Sequence, residues 1–507
     1  MKIVKIMGCV FMALLLMNCS NFDDINTNPD STTEGSASML CTNNILVMAK
    51  FSGKDAKAMV SDNAFPKYVG YANEGIMGTQ YNQIGNSSFG AMTMLPNIDQ
   101  MNEYAKGTLM ESSYAGVGYF LRAAMFYRLT MEMGDIPYSD ANLGLKEVYR
   151  PKYDLQEDVL LGVVNELEKA DSCFKSGTTF NGDPTPYNGN PDKWRRATNA
   201  FALRVLMSLS SKEGSSKINI KERFAKIVSE NYLMEASTGY WGLVYSSQNR
   251  HPLYSTSDQF TSRTVISSLL IDNLKKLSDR RMYYIAEPSK AQIASGISES
   301  APDAYVGVDV SMDYAQMNAM HSANKFSALN LRYQLEEASE PRMLITYAEQ
   351  QLILAEARVR NWITTGAAED YYQSGVKAAL SSMMANTQTK YTHGMAINQD
   401  YINSYFTNEA AFKTSTSDQL KQIWMQRYIL NFFQDPETSY FEYRRTGYPD
   451  FPTNPDTNLN EDNKNGIPLR WLYPTGESDY NRDNLVEALD RQFDGYDEVN
   501  KVMWILK

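Results

Sequence analysis

The chain has 507 residues, 43% of them hydrophobic and 21% charged, an ordinary composition for a folded protein and enough length to bury a large core. Its formal net charge of −11 repels phosphate backbones, and no basic stripe interrupts the acidity, so nucleic acid is excluded as a partner. Beyond the first 18 residues no run approaches the ~20 apolar residues that a membrane-spanning helix needs.

In chain order the first element is a leader. Lys2 and Lys5 give a positive start and Ile6 to Met17 an apolar stretch. That stretch is about half a membrane span, so it reads as a secretion signal. It closes on Cys19 and is followed by the polar run Ser20-Asn21-Phe22-Asp23-Asp24, which resembles a bacterial lipoprotein signal. Residues 1–18 are then the signal peptide, and Cys19 is the first mature residue, carrying palmitate-type acyl chains. Two or more chains, at ~0.8 kcal/mol per buried methylene, hold a domain stably on a bilayer. Asn18 departs from the small residue usual before such a cut. Residues 19–38, polar and rich in turn formers, read as a tether, with a single helical domain over 39–507.

Apolar residues recur at helical spacing over 111–133, where Gly134 offers a left-handed stop and Pro137 follows. A second helix starts at Pro151-Lys-Tyr-Asp154, with Asp154 as cap and Glu157 in the capping-box position. A third covers 192–211, with Trp194, Ala197, Phe201, Arg204, Val205 and Leu209 facing inward. Residues 341–362 read as one deeply buried helix, followed by Gly366 and a partner helix over 367–385. The pair is a helical hairpin. A further helix covers 418–433. The stretches 60–100, 236–265, 286–330 and 445–482 are long, dense in Gly, Asn, Ser, Pro and Tyr, and of the length that carries function. The expected fold is all-α, mainly helical, with helix pairs of tetratricopeptide type as scaffold and a large loop-rich ligand-binding region.

The motifs of common hydrolases are missing: no His-Glu-x-x-His run, nucleophile elbow or phosphate loop. The three histidines, His251, His321 and His393, stand apart from one another. Asp456, Asn458 and Asn460 begin like an EF-hand loop, but Glu461 and Ile467 break it, so a polar loop is the better reading. No metal or cofactor is expected. Cys41 and Cys173, which remain after the leader and anchor, could pair only if the fold brings them together.

Several segments together resemble the SusD/RagB-like nutrient-binding outer-membrane lipoproteins. They are Asp24-Ile-Asn26-Thr-Asn28-Pro29, Gly134-Asp135-Ile136-Pro137-Tyr138-Ser139, and Lys193-Trp194 leading to Ala202-Leu203-Arg204. Most distinctive are Thr346-Tyr347-Ala348-Glu349 with Leu354-Ala355-Glu356-Ala357, Phe441-Glu442-Tyr443-Arg444-Arg445-Thr446-Gly447-Tyr448-Pro449, and Ile467-Pro468 with Arg470, Tyr473-Pro474 and Glu477. The resemblance implies a non-catalytic receptor, lipid-anchored in the outer membrane and facing the exterior. It would capture nutrients, commonly oligosaccharides, for a SusC-like TonB-dependent barrel. A secreted glycoside hydrolase on a helical scaffold, or a helical adaptor that binds only proteins, are the competing readings.

The motif residues read as scaffold, with Arg444 and Arg445 paired to Glu349 or Glu356. With 33 Tyr, 20 Phe and 6 Trp, the loops have aromatic faces to spare for a ligand. Tyr68, Tyr71, Asn73 and Tyr81 form one Tyr/Asn-rich stretch; Tyr240, Trp241, Tyr245, Asn249 and Tyr254 form another. Rings take the C–H faces of sugars and Asn the hydroxyls. The alternative for Trp241 is that it plugs the core beneath its loop.

Overall fold

The structure, a computed structural model, describes residues 35–507 except 52, 54, 73, 74 and 255–262. The leader, Cys19, the Asp24–Pro29 run and Asn73 therefore lie outside the described residues. The protein is mainly helical. Its described helices of eleven residues or more are α1 (Ala37–Ala49), α2 (Met94–Ala105), α3 (Glu111–Met133), α4 (Gln156–Ser176), α5 (Pro191–Ser208), α6 (Ile220–Glu230), α7 (Tyr347–Val359), α8 (Ala368–Asn386), α9 (Thr416–Leu430), α10 (Pro436–Thr446) and α11 (Arg482–Phe493). Successive helices pack on one another: α3 on α4, α4 on α5, α5 on α6 and α7, and α7 on α8 and α9. Two short antiparallel ribbons complete the frame: β1 (Val69–Tyr71) with β3 (Thr264–Ile266), and β2 (Tyr240–Leu243) with β4 (Arg342–Thr346).

The apolar stripes that predict the helices also build the core. One hydrophobic cluster runs from Ala37 to Ile505, and a small satellite gathers Ala72, Val265, Val308, Met317 and Phe326. Helix α3 ends at Gly134, whose φ of +99° suits glycine and whose N–H donates to Thr130 O at 2.9 Å. Cys41 and Cys173 are both free thiols.

Two elements differ from the sequence reading. Asp154 does not cap α4. Ile136 and Asp154 form an antiparallel bridge that keeps this backbone extended. The Asp154 carboxylate instead accepts from Tyr138 N (3.0 Å) and Ser139 N (2.8 Å). Asp135, at the far side of the turn, accepts from Gln156 N at 2.7 Å and so takes the capping role across the connection. The expected helix over 341–362 is also shorter. Arg342–Thr346 pairs with Tyr240–Leu243 as a strand, and Thr346 then accepts from Glu349 N at 3.0 Å and starts α7. The free edge of β2 outweighs the helical periodicity of this apolar segment, as tertiary pairing often does for short runs.

Glu349 and Glu356 lie two turns apart on α7, and arginines from other helices converge on them. Arg445 of α10 meets Glu356 at 2.7 Å, and Arg427 of α9 reaches Glu349 at 3.3 Å and Glu442 at 2.5 Å. Arg204 of α5 donates to Glu349 from Nε at 2.9 Å and from Nη2 as well. The expected pairing of Arg445 with Glu356 is thus present. Arg444 differs: it donates to two carbonyls, Leu469 O and Met131 O, at 2.6 Å each. Glu356 is fully buried. Burial pushes its carboxyl pKa up, but Arg445, Arg360 and Arg427 outweigh that and hold it at about 2.

Glu356→Ala should lower the unfolding free energy by about 3 kcal/mol, read as a urea midpoint, because the buried Arg445 and Arg427 are left to share the single carboxylate of Glu442, with Glu349 beside Arg427. A carboxyl held below its ordinary value of 4.5 stabilises the fold fully above that value and loses the contribution as pH falls toward about 2. Circular dichroism through that acid window should show a shallower pH dependence in Glu356→Gln than in the parent chain.

Candidate ligand site

The segment between α6 and α7 is short on regular structure, yet two buried arginines tie it to the scaffold. Arg281 forks onto Asp279 (Nη2–Oδ2 2.6 Å) and donates to Gln426 of α9 at 2.6 Å, while Tyr405 Oη donates to Asp279 at 2.6 Å. Arg332 donates to Tyr284 O (2.9 Å), Ser339 O (3.0 Å) and Glu340 (2.5 Å), and Gln434 donates to Glu340 at 2.8 Å. Forked guanidinium pairs of this kind fix orientation as well as position.

Between these staples the chain folds around a cavity of about 630 Å³. Ala286 bridges Leu329, and Glu287 N donates to Ala328 O at 2.9 Å, which makes the floor. The short helix Lys290–Ala294 forms one wall, joined to the other by Ala291 N donating to Asn324 O at 3.1 Å. On that second wall the His321 ring stacks on Phe326, centroids 4.7 Å apart and 23° from parallel. Ile293 and Leu331, 41% and 40% exposed, give the rim apolar edges. Glu287, Glu299, Lys290 and Asn324 supply polar groups around it. An apolar floor, an aromatic face and a few polar groups in a cavity of several hundred Å³ are the make-up of a small-molecule site.

The wall's carboxylates are engaged. Glu287 accepts from Leu331 N at 2.8 Å and faces His393 Nε2 at 3.4 Å, and Glu299 faces His393 Nδ1 at 3.3 Å. Among the described residues no three His, Cys, Asp or Glu side chains gather in a way that could hold a metal ion. In the loop that begins like an EF-hand, Asn458 and Asn460 are buried rather than solvated. Asn458 Nδ2 donates to Lys464 O and Gly466 O at 2.9 Å each, which closes the loop on itself.

Among the described residues singled out in the two Tyr/Asn-rich stretches, none lines this cavity. Tyr71 is buried in β1 opposite Thr264, and Tyr81 is buried with its hydroxyl donating to Met312 O at 3.0 Å. Tyr68 is buried against Tyr428. Tyr68 and Tyr71 belong to the main hydrophobic core. Trp241 is 3% exposed and packs on Phe120 (5.2 Å) and Trp194 (6.0 Å), the plugging alternative. Tyr240 is half-buried beside a second cavity of about 520 Å³, with Tyr347, Met343 and Lys377. Tyr245 is buried against His251 at 5.0 Å, and Asn249 and Tyr254 are half-buried in the same loop, Tyr254 beneath Arg250 at 5.2 Å. The cavity residues Glu287, His321 and Phe326 escaped sequence reasoning. Their one signal was position, within the long 286–330 stretch.

Residues 29–474 match the family model for SusD-like proteins, described as starch-binding and associating with the outer membrane. The chain belongs to the SusD-like family. A SusD homologue from Bacteroides fragilis NCTC 9343 is 37% identical, with 93% of this chain and 100% of that chain covered and a TM-score of 0.89. A candidate outer-membrane nutrient-binding protein of Bacteroides vulgatus ATCC 8482 is 32% identical over 93% and 100% of the two chains, at a TM-score of 0.83. A chitin-binding SusD homologue of Flavobacterium johnsoniae, 18% identical over 93% and 98% of the chains with a TM-score of 0.69, shares the fold. No curated protein matches the sequence. In this SusD-like chain no described helix is long and apolar enough to cross a membrane.

The burial of Trp241 predicts a stability effect. Trp241→Ala should cost about 3–5 kcal/mol, as large-to-small core changes do, measured by thermal or denaturant unfolding.

Proposed function

We propose that this SusD-like protein is a cell-surface lipoprotein. It is anchored through Cys19 after removal of residues 1–18, with one nutrient-binding domain over 39–507. It captures oligosaccharide in the cavity between Glu287 and Leu331 and passes it, uncleaved, to a SusC-like TonB-dependent barrel. The observation that carries this reading is the match to SusD homologues over nearly the whole chain, in sequence and in fold.

The cavity's chemistry supports the ligand class. The His321–Phe326 stack offers a flat face for the C–H side of a pyranose. Lys290, Asn324 and the Glu287 carboxylate stand where hydroxyls would donate and accept. The Glu287 carboxylate is held in place by Leu331 N and faces His393, so it is positioned to accept from a ligand hydroxyl.

A panel of plant, fungal and host oligosaccharides incubated with the protein should yield at least one retained and chemically unchanged ligand. Release of smaller products at stoichiometric protein would overturn the reading in favour of a hydrolase. His321→Ala should weaken the retained ligand roughly tenfold, about 1.4 kcal/mol, by calorimetric titration. Affinity capture from solubilised outer membranes should bring down a large barrel; capture of soluble proteins alone would favour an adaptor.

A further inference from the structure

The cavity's acidic wall is held by a single side chain from a distant part of the sequence. His393 sits in the turn after the short helix Thr389–Tyr391, with φ +49°, a left-handed conformation uncommon for a residue with a Cβ. Such backbone persists where the surroundings over-determine it, and here it delivers the imidazole between two carboxylates. Nε2 lies 3.4 Å from Glu287 and Nδ1 lies 3.3 Å from Glu299. The His393 side chain is 10% exposed, the Glu287 side chain 20% and the Glu299 side chain 60%.

The partners of the two ring nitrogens favour a doubly protonated ring. Asn330 Nδ2 approaches Nε2 at 3.5 Å, but its two hydrogens already go to Tyr283 O (3.0 Å) and Tyr391 O (2.9 Å). Asn330 Oδ1 accepts from Arg332 N at 3.0 Å, which fixes the amide's orientation. With both amide hydrogens better placed on those carbonyls, Nε2 is left facing the Glu287 carboxylate at 3.4 Å, where a ring proton would be attracted to it. Nδ1 faces a carboxylate too. A ring whose two nitrogens both face carboxylates satisfies both only as imidazolium.

The other neighbours leave this arrangement undisturbed. The Tyr305 ring lies edge-on at 6.2 Å, and its hydroxyl donates to Glu299 O at 3.0 Å. Tyr283 Oη donates to Ser300 O at 3.0 Å. On the turn's own segment, Lys390 pairs with Glu336 at 2.8 Å and Tyr391 donates to Glu336 at 2.6 Å. Arg280 donates to Ala396 O at 2.7 Å. The two tyrosines hold the backbone at Glu299 and Ser300. The parts left to move are the Glu299 side chain and the turn around His393.

We propose that His393 is a proton-operated latch on the rim of the ligand cavity: protonated, it ties Glu287 and Glu299 to the 389–395 turn; neutral, it releases Glu299 and loosens that turn. Loss of the proton leaves one ring nitrogen with its lone pair against a carboxylate. The exposed partner, Glu299, is the arm that lets go. The cavity wall then gains an unpaired negative charge and the turn loses its tether. Burial alone would lower the His393 pKa, but the hydrogen bonds and charges of Glu287 and Glu299 outweigh it and raise it above 6.5. A raised histidine value means that the latch is complete below the unfolded value of 6.5 and is lost as pH rises through the higher folded value.

The consequence for uptake rests on the proposed ligand site, but the latch itself is tested without ligand. With only three histidines in the sequence, ring NMR signals of the full chain can be followed individually through a pH titration. His251 should stay neutral throughout, since burial and then the charges of Arg332 and Arg342 hold it down at about 3. His393 should titrate above 6.5, and Glu299→Gln, a change at an exposed side chain, should move its midpoint down by a half to one unit. Hydrogen exchange of amides 389–395, corrected for intrinsic pH dependence, should quicken at least threefold across that midpoint. In His393→Gln it should show no step. A midpoint at or below 6.5, no shift in Glu299→Gln, or the same exchange step in His393→Gln would each overturn the latch. Loss of sugar binding with these signals intact would overturn the ligand site alone.

Discussion

The constraint on which the scaffold depends is the pairing of Glu349 and Glu356 on α7 with arginines from α5, α9 and α10. Helix α5 and the consecutive pair α9 and α10, more than 200 residues further along the chain, must arrive in one register, or a charge is stranded in the interior. Apolar packing tolerates sliding, because one methyl group serves nearly as well as another. A forked guanidinium–carboxylate contact does not, since its geometry is planar and directional. Buried ion pairs add little net stability, for desolvation offsets most of their attraction. Here they choose one arrangement of helices over others that the same apolar stripes would permit.

The same device extends to the irregular region. Arg281 and Arg332 flank the cavity-forming segment and fasten it to residues of the scaffold, Gln426 and Gln434 among them. A loop region pinned at both ends can hold a cavity open without a sheet or long helices of its own. Between the staples, short backbone pairings such as Ala286 with Leu329 and Val308 with Ser267 suffice to shape the walls. The tyrosines contribute to the packing: Tyr68, Tyr71 and Tyr81 bury their rings, and Tyr68 and Tyr81 direct their hydroxyls to the carbonyls of Tyr428 and Met312. A residue with an apolar body and a polar tip suits the boundary between a core and irregular backbone.

This explains what was legible in the sequence. Helices α3, α5, α8 and α9 carry period-3.6 stripes over several turns, and a long stripe is hard to satisfy any other way. The segment 342–346 was misread because five apolar-rich residues fit a strand and a helix equally, and only the presence of β2 beside it decides. Asp154 was misread for a related reason. A carboxylate before a helix is a cap only if the backbone there is free to turn, and the bridge to Ile136 removes that freedom. The cavity was hidden because its parts, Glu287, Lys290, His321 and Phe326, have no common periodicity. Backbone pairings across some forty residues bring them together, and composition carries no trace of such pairings. Trp241 shows the converse case, in which two readings stood side by side in the sequence. An aromatic beside glycine and asparagine looks like a ligand platform, yet the strand pairing turns its ring toward Phe120 and Trp194.

The two charge systems also divide the pH scale between them. Glu356, surrounded by guanidiniums that never lose their protons, keeps its charge down to about 2, so the scaffold's register is insensitive to ordinary changes in acidity. His393 has carboxylates as its only charged partners among the described residues, and imidazole is the one common side chain whose proton is exchanged near neutrality. A structure that placed histidine in the central lattice would loosen throughout as pH rose. A structure that placed arginine at position 393 would lock the rim permanently. The distribution found here confines any response to the edge of the cavity, where a change in one turn and one carboxylate alters the site while the helices beneath keep their places.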